Sequence, residues 1–148
     1  MLPSTPETGA APGLRPDLPD HVRNLYAYTA SSLLGNLIGS VVVVMLYATF
    51  APPLLLTLWA VAFACVWAYR AWIARRFAAI QLNPQTDFAA WQKRWNAGIL
   101  ASGSMWGMAA LLFYSRGEAI QQIGLVITIY SYCVASVPVL AEHRKMFL

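Results

Sequence analysis

Few side chains in this sequence could do acid–base, redox or metal chemistry. Charged residues make up 11% of its 148 residues, and it holds no glycine-rich phosphate loop, no paired carboxylates and no nucleophile beside a base. The two histidines, His21 and His143, lie outside the long apolar segments, so they cannot hold a haem between helices. Cys65 and Cys133 lie inside apolar segments, where we expect them to pack as small hydrophobic side chains. We therefore expect no catalytic residue, no cofactor, no metal and no nucleic-acid partner.

Small residues four positions apart in two apolar segments indicate close helix packing. One stripe contains Ser31, Gly35 and Gly39, and the other contains Gly103 and Gly107. In a membrane, small residues at this spacing let the backbone of another helix approach closely. The partner is either a helix of the same bundle or a second copy of the chain, as in a homodimer. We expect both stripes to face protein rather than lipid.

Asn36 lies next to the first stripe and is the polar residue of that segment that most needs a partner. A Ser or Thr hydroxyl can bond to its own helix, whereas an asparagine amide is less easily satisfied there. We expect Asn36 to form a hydrogen bond across helices, with a functional contact as the alternative.

Aromatic residues at helical spacing follow a break at Asn83-Pro84. Thr86 or Asp87 can cap a new helix there. The pattern predicts an interfacial helix over about residues 86–95 that continues into the next apolar segment. Its rings would anchor the chain at the membrane surface, with a lipid-headgroup or regulatory contact as the alternative. These expected anchors are Phe88, Trp91 and Trp95.

Charge-free segments predict the helices that position these residues. The chain is 59% apolar with a mean hydropathy of +0.54, and residues 24–69 contain no charged side chain. A membrane span needs about 20 apolar residues, and backbone in lipid must be helical or form a closed barrel. Continuous apolar runs favour helices, and Pro52-Pro53 predicts a turn. We expect an all-α bundle within residues 25–148, with four transmembrane helices at about 25–50, 54–73, 95–115 and 119–141.

The N-terminal 24 residues differ in composition from the rest of the chain. Five of the nine prolines lie in the first 19 residues. Such a composition is typical of disorder, so we expect residues 1–24 to form a disordered cytoplasmic tail.

The basic residues predict the orientation of the bundle. With four spans, nine of the ten lie on the side that carries both termini, and Arg116 alone lies on the other side. Basic residues favour the cytoplasmic side, so both termini are expected in the cytoplasm. The nine residues are Arg15, Arg23, Arg70, Arg75, Arg76, Lys93, Arg94, Arg144 and Lys145.

Ion-coupled transport would require an ionisable group at membrane depth. With Arg70 counted on the inner side, none of the four expected spans contains one. This argues against a proton- or cation-coupled carrier.

The order of several short motifs resembles the N-terminal membrane region of bacterial multidomain signalling proteins, over about residues 23–148. Such proteins carry histidine kinase or GGDEF and EAL (cyclic-di-GMP) output domains, and their membrane regions tend to have further spans. No output domain is present here, so the resemblance implies no catalytic residue. The motifs are Leu25-Tyr26, Leu33-Leu34-Gly35-Asn36, Tyr69-Arg70, Trp91-Gln92-Lys93-Arg94-Trp95 and Ser102-Gly103-Ser104-Met105-Trp106-Gly107.

The resemblance implies a membrane sensory or anchoring module of a signal-transduction protein, without catalysis of its own. Its partners would be the lipid bilayer, a second copy of the chain and a downstream cytoplasmic output domain. Met146-Phe147-Leu148 begins a new apolar run, so we expect a fragment of a longer protein. The alternative is a small membrane transporter, or transporter subunit, for an uncharged solute. A third interpretation is a purely structural assembly partner.

Overall fold

The computed structural model describes residues 18–83 and 85–144, without the side chains of residues 18, 21 and 136–144. All of the regular elements in this part of the chain are helical, which confirms the all-α part of the expected fold class. A short 3-10 turn, Tyr114–Arg116, follows the fourth of five α-helices. The helices are α1 (Leu18–Ala27), α2 (Thr29–Tyr47), α3 (Pro53–Ile80), α4 (Phe88–Phe113) and α5 (Ala119–Arg144).

Three helical segments are long and apolar enough to cross a membrane: Val22–Tyr47, Pro53–Ile80 and Phe88–Arg116. A fourth apolar helix, Ala119–Ala135 within the residues searched, is shorter. These lengths and compositions are those of a membrane protein.

The first helix begins earlier than the sequence indicates. Residues 18–24, expected in a disordered tail, belong to α1. Val22 and Leu25 are fully buried, and this contact with the bundle explains why the segment is helical. Residues 1–17 of the expected tail lie outside the described residues.

The turn between the first two long helices lies where the prolines predict it. α2 ends at Tyr47, whose carbonyl accepts a hydrogen bond from the Ala51 amide at 2.9 Å. Pro53 occupies the first turn of α3, where a missing N–H costs nothing and the fixed φ suits a helix. Pro52 and Pro53 are both exposed.

α3 and α4 are each longer than the spans expected from the sequence. α3 continues past residue 73 to Ile80, because its last turns are anchored by the buried side chain of Phe77. The segment expected as an interfacial helix forms the first turns of α4, which runs unbroken from Phe88 into the next apolar segment, as expected. Asp87 caps α4 by accepting a hydrogen bond from the Ala90 amide at 3.0 Å.

Two apolar clusters hold the helices together. The Trp59 cluster lies towards the proline turn; its largest members are Tyr47, Trp59, Phe63, Trp106 and Phe113. The Phe77 cluster lies at the opposite end, which we call the loop end because it carries the α3–α4 loop. It consists of Val22, Leu25, Tyr26, Ile73, Phe77 and Trp95.

The Phe77 cluster explains how α1 is held at the loop end. The rings of Tyr26 and Phe77 stack with centroids 4.0 Å apart, and Trp91 lies 5.6 Å from Phe77. The Tyr26 hydroxyl also donates a hydrogen bond to the Trp91 carbonyl at 3.1 Å. One aromatic residue of α3 therefore connects α1 to α4.

We expect Phe77→Ala to lower the free energy of unfolding by about 3–5 kcal/mol, because it removes a fully buried ring and leaves a cavity. Thermal unfolding of the purified chain in detergent micelles measures the change. Leu82→Ala, at a position that is 85% exposed, is the matched control and should unfold like the wild type. Equal unfolding temperatures for the two variants would contradict this account of the cluster.

Candidate functional site

A buried arginine lies between the two apolar clusters. Arg70 belongs to α3 and is only 4% exposed. Its Nη1 donates a hydrogen bond to the Ser102 hydroxyl at 3.0 Å, and its Nη2 donates to the Ser32 hydroxyl at 3.2 Å. The guanidinium therefore joins α2, α3 and α4 at one level of the bundle.

The ligands of this guanidinium are neutral. An arginine carries a full positive charge that is not lost at any ordinary pH. Within the described residues, the single ion pair is that of Arg23 with Asp20, at 3.1 Å. No carboxylate of that part of the chain lies within 4 Å of Arg70, and the acceptors of its terminal nitrogens there are two hydroxyl groups.

A glycine on α4 makes room for the arginine side chain. A Cβ added at Gly98 would lie 3.1 Å from Arg70 Cγ and 3.5 Å from its Cδ. Gly98 and Ser102 are four residues apart, so they occupy the same face of α4. This spacing of small residues was a signal for the site that our sequence analysis missed.

Asn36 adds further polar contacts one helical turn along α2 from Ser32. Its Nδ2 donates to the Ser32 carbonyl at 2.7 Å, and its Oδ1 accepts from Trp106 Nε1 at 2.9 Å. The amide thus hydrogen-bonds across helices, from α2 to α4. Tyr132 of α5 packs against the Trp106 ring with centroids 5.5 Å apart, which brings a fourth helix to this level. We call Ser32, Asn36, Arg70, Ser102 and Trp106 the Arg70 cluster.

Other indole N–H groups also cross between helices. Three tryptophans donate to backbone or hydroxyl oxygens of neighbouring helices, at 2.9–3.2 Å. Hydrogen bonds of this kind fix the rotation of each helix about its axis. The pairs are Trp59 with the Met105 carbonyl, Trp67 with the Leu33 carbonyl and Trp95 with the Thr29 hydroxyl.

A narrow crevice lies beside the guanidinium and is too tight to admit a water molecule. Both polar and apolar side chains form its wall: Asn36, Phe63, Val66, Trp67, Arg70 and Ser102. Ligand pockets for small molecules are typically about 300–1,000 Å³, so this crevice is far below the size of a ligand pocket.

The position of Arg70 corrects two expectations. Arg70 lies inside the bundle and not at the inner membrane surface. Without it, eight basic residues lie on the expected cytoplasmic side and Arg116 alone lies on the other side. The statement that no span contains an ionisable group is also wrong, because Arg70 lies inside the Pro53–Ile80 segment. The reason is helical periodicity, since Phe63, Arg70 and Phe77 are seven residues apart and share the buried face of α3.

The two expected packing stripes do not meet inside the bundle. Among the described residues, a Cβ added at Gly35, Gly103 or Gly107 would have no neighbouring heavy atom within 4 Å, whereas one at Gly39 would lie 2.8 Å from the Trp106 ring. Ser31 is exposed and donates to the Tyr28 carbonyl of the preceding turn at 3.0 Å. Within the described part of the chain, close packing of these stripes is thus limited to Gly39, because the adjacent polar residues take the inward faces. A second copy as their partner stays a prediction.

The expected interfacial anchors pack at the loop end. Trp95 is buried in the Phe77 cluster, and Phe88 and Trp91 are partly buried against it. They contact α1 and α3, so they close this end of the bundle. Their depth in a lipid bilayer stays a prediction.

We expect Ser102→Ala to destabilise the chain by about 1–3 kcal/mol, because Arg70 Nη1 loses its acceptor while it remains buried. Ser104→Ala is the matched control, since Ser104 lies on the same helix but is exposed and bonds to the Leu100 carbonyl of its own helix. Thermal unfolding in detergent compares the two variants. A loss as large for Ser104→Ala as for Ser102→Ala would contradict the role of the cluster.

Leucine substitutions at two glycines of one stripe should differ in their effect on stability. Gly39→Leu drives a side chain into Trp106 and should cost about 1–3 kcal/mol by overpacking. Gly35→Leu enters open space and should change the unfolding free energy by less than about 0.5 kcal/mol. Gly35→Leu can therefore be used to test self-association by cross-linking, because the fold itself is retained. Equal destabilisation by both variants would show that the helix faces are assigned wrongly.

Comparison with known proteins gives no match. No family model matches the sequence, and no curated protein or solved structure matches it either. The resemblance to membrane regions of signalling proteins therefore remains a prediction from short motifs.

Proposed function

We propose that this chain is a membrane sensory and anchoring module of a bacterial signal-transduction protein. In this proposal it crosses the inner membrane four times, with both termini in the cytoplasm. Three helical segments of spanning length and the apolar part of α5 support the four crossings. The eight-to-one distribution of basic residues supports the orientation.

The observation that carries the proposal is the buried guanidinium of Arg70. An ionisable side chain inside a membrane bundle is costly, and such residues usually mark functional sites. Burying a charge costs free energy unless the charge is paired and hydrogen-bonded, and Arg70 has hydroxyl acceptors but no ion pair among the described residues.

The chemistry of the Arg70 ligands supports a switching role rather than a fixed one. Hydroxyl groups are neutral acceptors, and a hydrogen bond from a charged donor contributes about 1.5–3 kcal/mol. Ser32 and Ser102 reside on different helices, so loss of either bond frees one helix relative to α3. A conformational relay needs such an element with two arrangements.

The topology connects this element to the loop end. α3 and α4 both pass the Arg70 cluster, and both reach the loop between Ile80 and Phe88. A displacement of α4 against α3 at Ser102 therefore moves the loop end of the bundle. We propose that this movement controls a cytoplasmic histidine kinase or GGDEF/EAL output domain.

We also propose a homodimer as the assembled form. Gly35 on α2, and Gly103 and Gly107 on α4, leave open space on the outer faces of the bundle. Small residues on outer helix faces let a second helix approach closely in a membrane, which favours a second copy as partner.

The alternative function, a transporter or transporter subunit for an uncharged solute, has less support. The crevice beside Arg70 is too tight to admit a water molecule, far below the usual size of a small-molecule site. A fixed positive charge in its wall is also poorly suited to selecting an uncharged solute.

A fusion of residues 1–148 to a diguanylate cyclase domain tests the sensory proposal in a bacterial membrane. We expect Arg70→Gln to change cellular cyclic-di-GMP by about fivefold at equal membrane abundance, the scale of a typical coupling energy. Ser102→Ala should shift the level in the same direction, and it serves as the second variant if Arg70→Gln accumulates poorly. The matched control is Arg75→Gln, an exposed arginine on the same helix. Cyclic-di-GMP unchanged by Arg70→Gln and by Ser102→Ala would overturn the proposal.

A further inference from the structure

An open groove lies between α3 and α4 at the loop end of the bundle. Its cavity volume is about 320 Å³, and it is distinct from the crevice beside Arg70. Its lining combines two arginines with aromatic and aliphatic side chains. The aromatic residues are Tyr69, Trp72 and Trp91, and Ile73 and Ile80 form the aliphatic floor.

The two arginines of the groove are held by aromatic rings rather than by acids. Arg76 lies over Trp72 with its Cζ 5.0 Å from the ring centroid, and Arg94 lies over Trp91 at 4.7 Å. In the described part of the chain, neither forms an ion pair. Their charged forks are exposed at the rim of the groove and are free to bind an anion. Guanidinium groups suit phosphate well because they can donate two parallel hydrogen bonds to it.

The groove continues into an exposed apolar stripe on the outer face of α3. The stripe follows the three- and four-residue spacing of one helix face, and all of its members are exposed. From Val61 to Trp72 it covers about 16 Å at about 1.5 Å per residue, close to half of a hydrocarbon core about 30 Å thick. Its members, from the proline turn to the groove, are Leu54, Leu58, Val61, Cys65, Tyr69 and Trp72.

We propose that this groove is a binding site for one anionic phospholipid. The phosphate binds between Arg76 and Arg94, and an acyl chain lies along the apolar stripe of α3. Basic pockets between membrane helices are suited to anionic headgroups, and Tyr69 and Trp72 are the ring types that favour headgroup depth. A free phosphate would use the two arginines but not the stripe, so the apolar contact identifies the ligand as a lipid.

The site does not depend on the signalling proposal, since its residues differ from those of the Arg70 cluster. It requires only that this face of the bundle lies against a lipid leaflet.

Lipid retention by the full chain tests the site directly. The protein is purified in detergent micelles, mixed with dioleoylphosphatidylglycerol or dioleoylphosphatidylcholine, and analysed by native mass spectrometry. We expect the anionic lipid to bind at least about tenfold more tightly, the scale expected for two basic side chains at a headgroup. The Arg76→Gln/Arg94→Gln double variant should reduce this preference to less than about twofold.

The matched control is Arg75→Gln/Lys93→Gln, which removes the same charge from neighbouring exposed positions on the same two helices. It should keep the preference of the wild type. If the control loses as much preference as the test variant, the effect is one of general surface charge and the proposal is wrong.

Two further outcomes would overturn the site. One is equal retention of both lipids by the wild type. The other is displacement of the anionic lipid by inorganic phosphate at equal concentration, which would indicate a free-phosphate site. Arg94→Gln alone is the second variant if the double variant does not fold, and it should lower the preference by about threefold.

Discussion

The arrangement of the bundle depends on the burial of one positive charge. Arg70 of α3 can lie inside the bundle because Ser32 and Ser102 approach it from two other helices. Any side chain at Gly98 would crowd the arginine stem where it passes α4. An unsolvated guanidinium would be very costly in an apolar interior, so these residues constrain the spacing and rotation of three helices together.

Local signals in the sequence predicted where helices begin and end better than which helix faces are buried. The proline turn and the Asp87 cap follow from the chemistry of one or two residues, and both are present. The burial of Arg70 was not predicted, because a charge near the end of an apolar run was counted as a surface residue. The seven-residue spacing of Phe63, Arg70 and Phe77 indicates that Arg70 shares the buried face of α3.

The glycine stripes show why helix faces are hard to assign in a membrane protein. Lipid chains and apolar side chains offer similar surroundings, so hydrophobicity does not separate the inner face from the outer one. Directional hydrogen bonds determine which face of a helix points into the bundle. The Trp106 indole and the Asn36 amide turn one face of α2 towards α4, and this leaves Gly35 on the outside.

The groove between Arg76 and Arg94 and the Arg70 cluster share no residue, but both involve α3 and α4. Arg76 and Arg94 flank a groove between α3 and α4, while Arg70 and Ser102 join the same two helices deeper in the bundle. A ligand shifts a conformational equilibrium only by the difference in its affinity for the two states. The proposed lipid would favour one separation of α3 from α4, and that separation also sets the distance between Arg70 and Ser102. We therefore propose that membrane composition influences the proposed relay through the geometry of two helices, without direct contact with the Arg70 cluster.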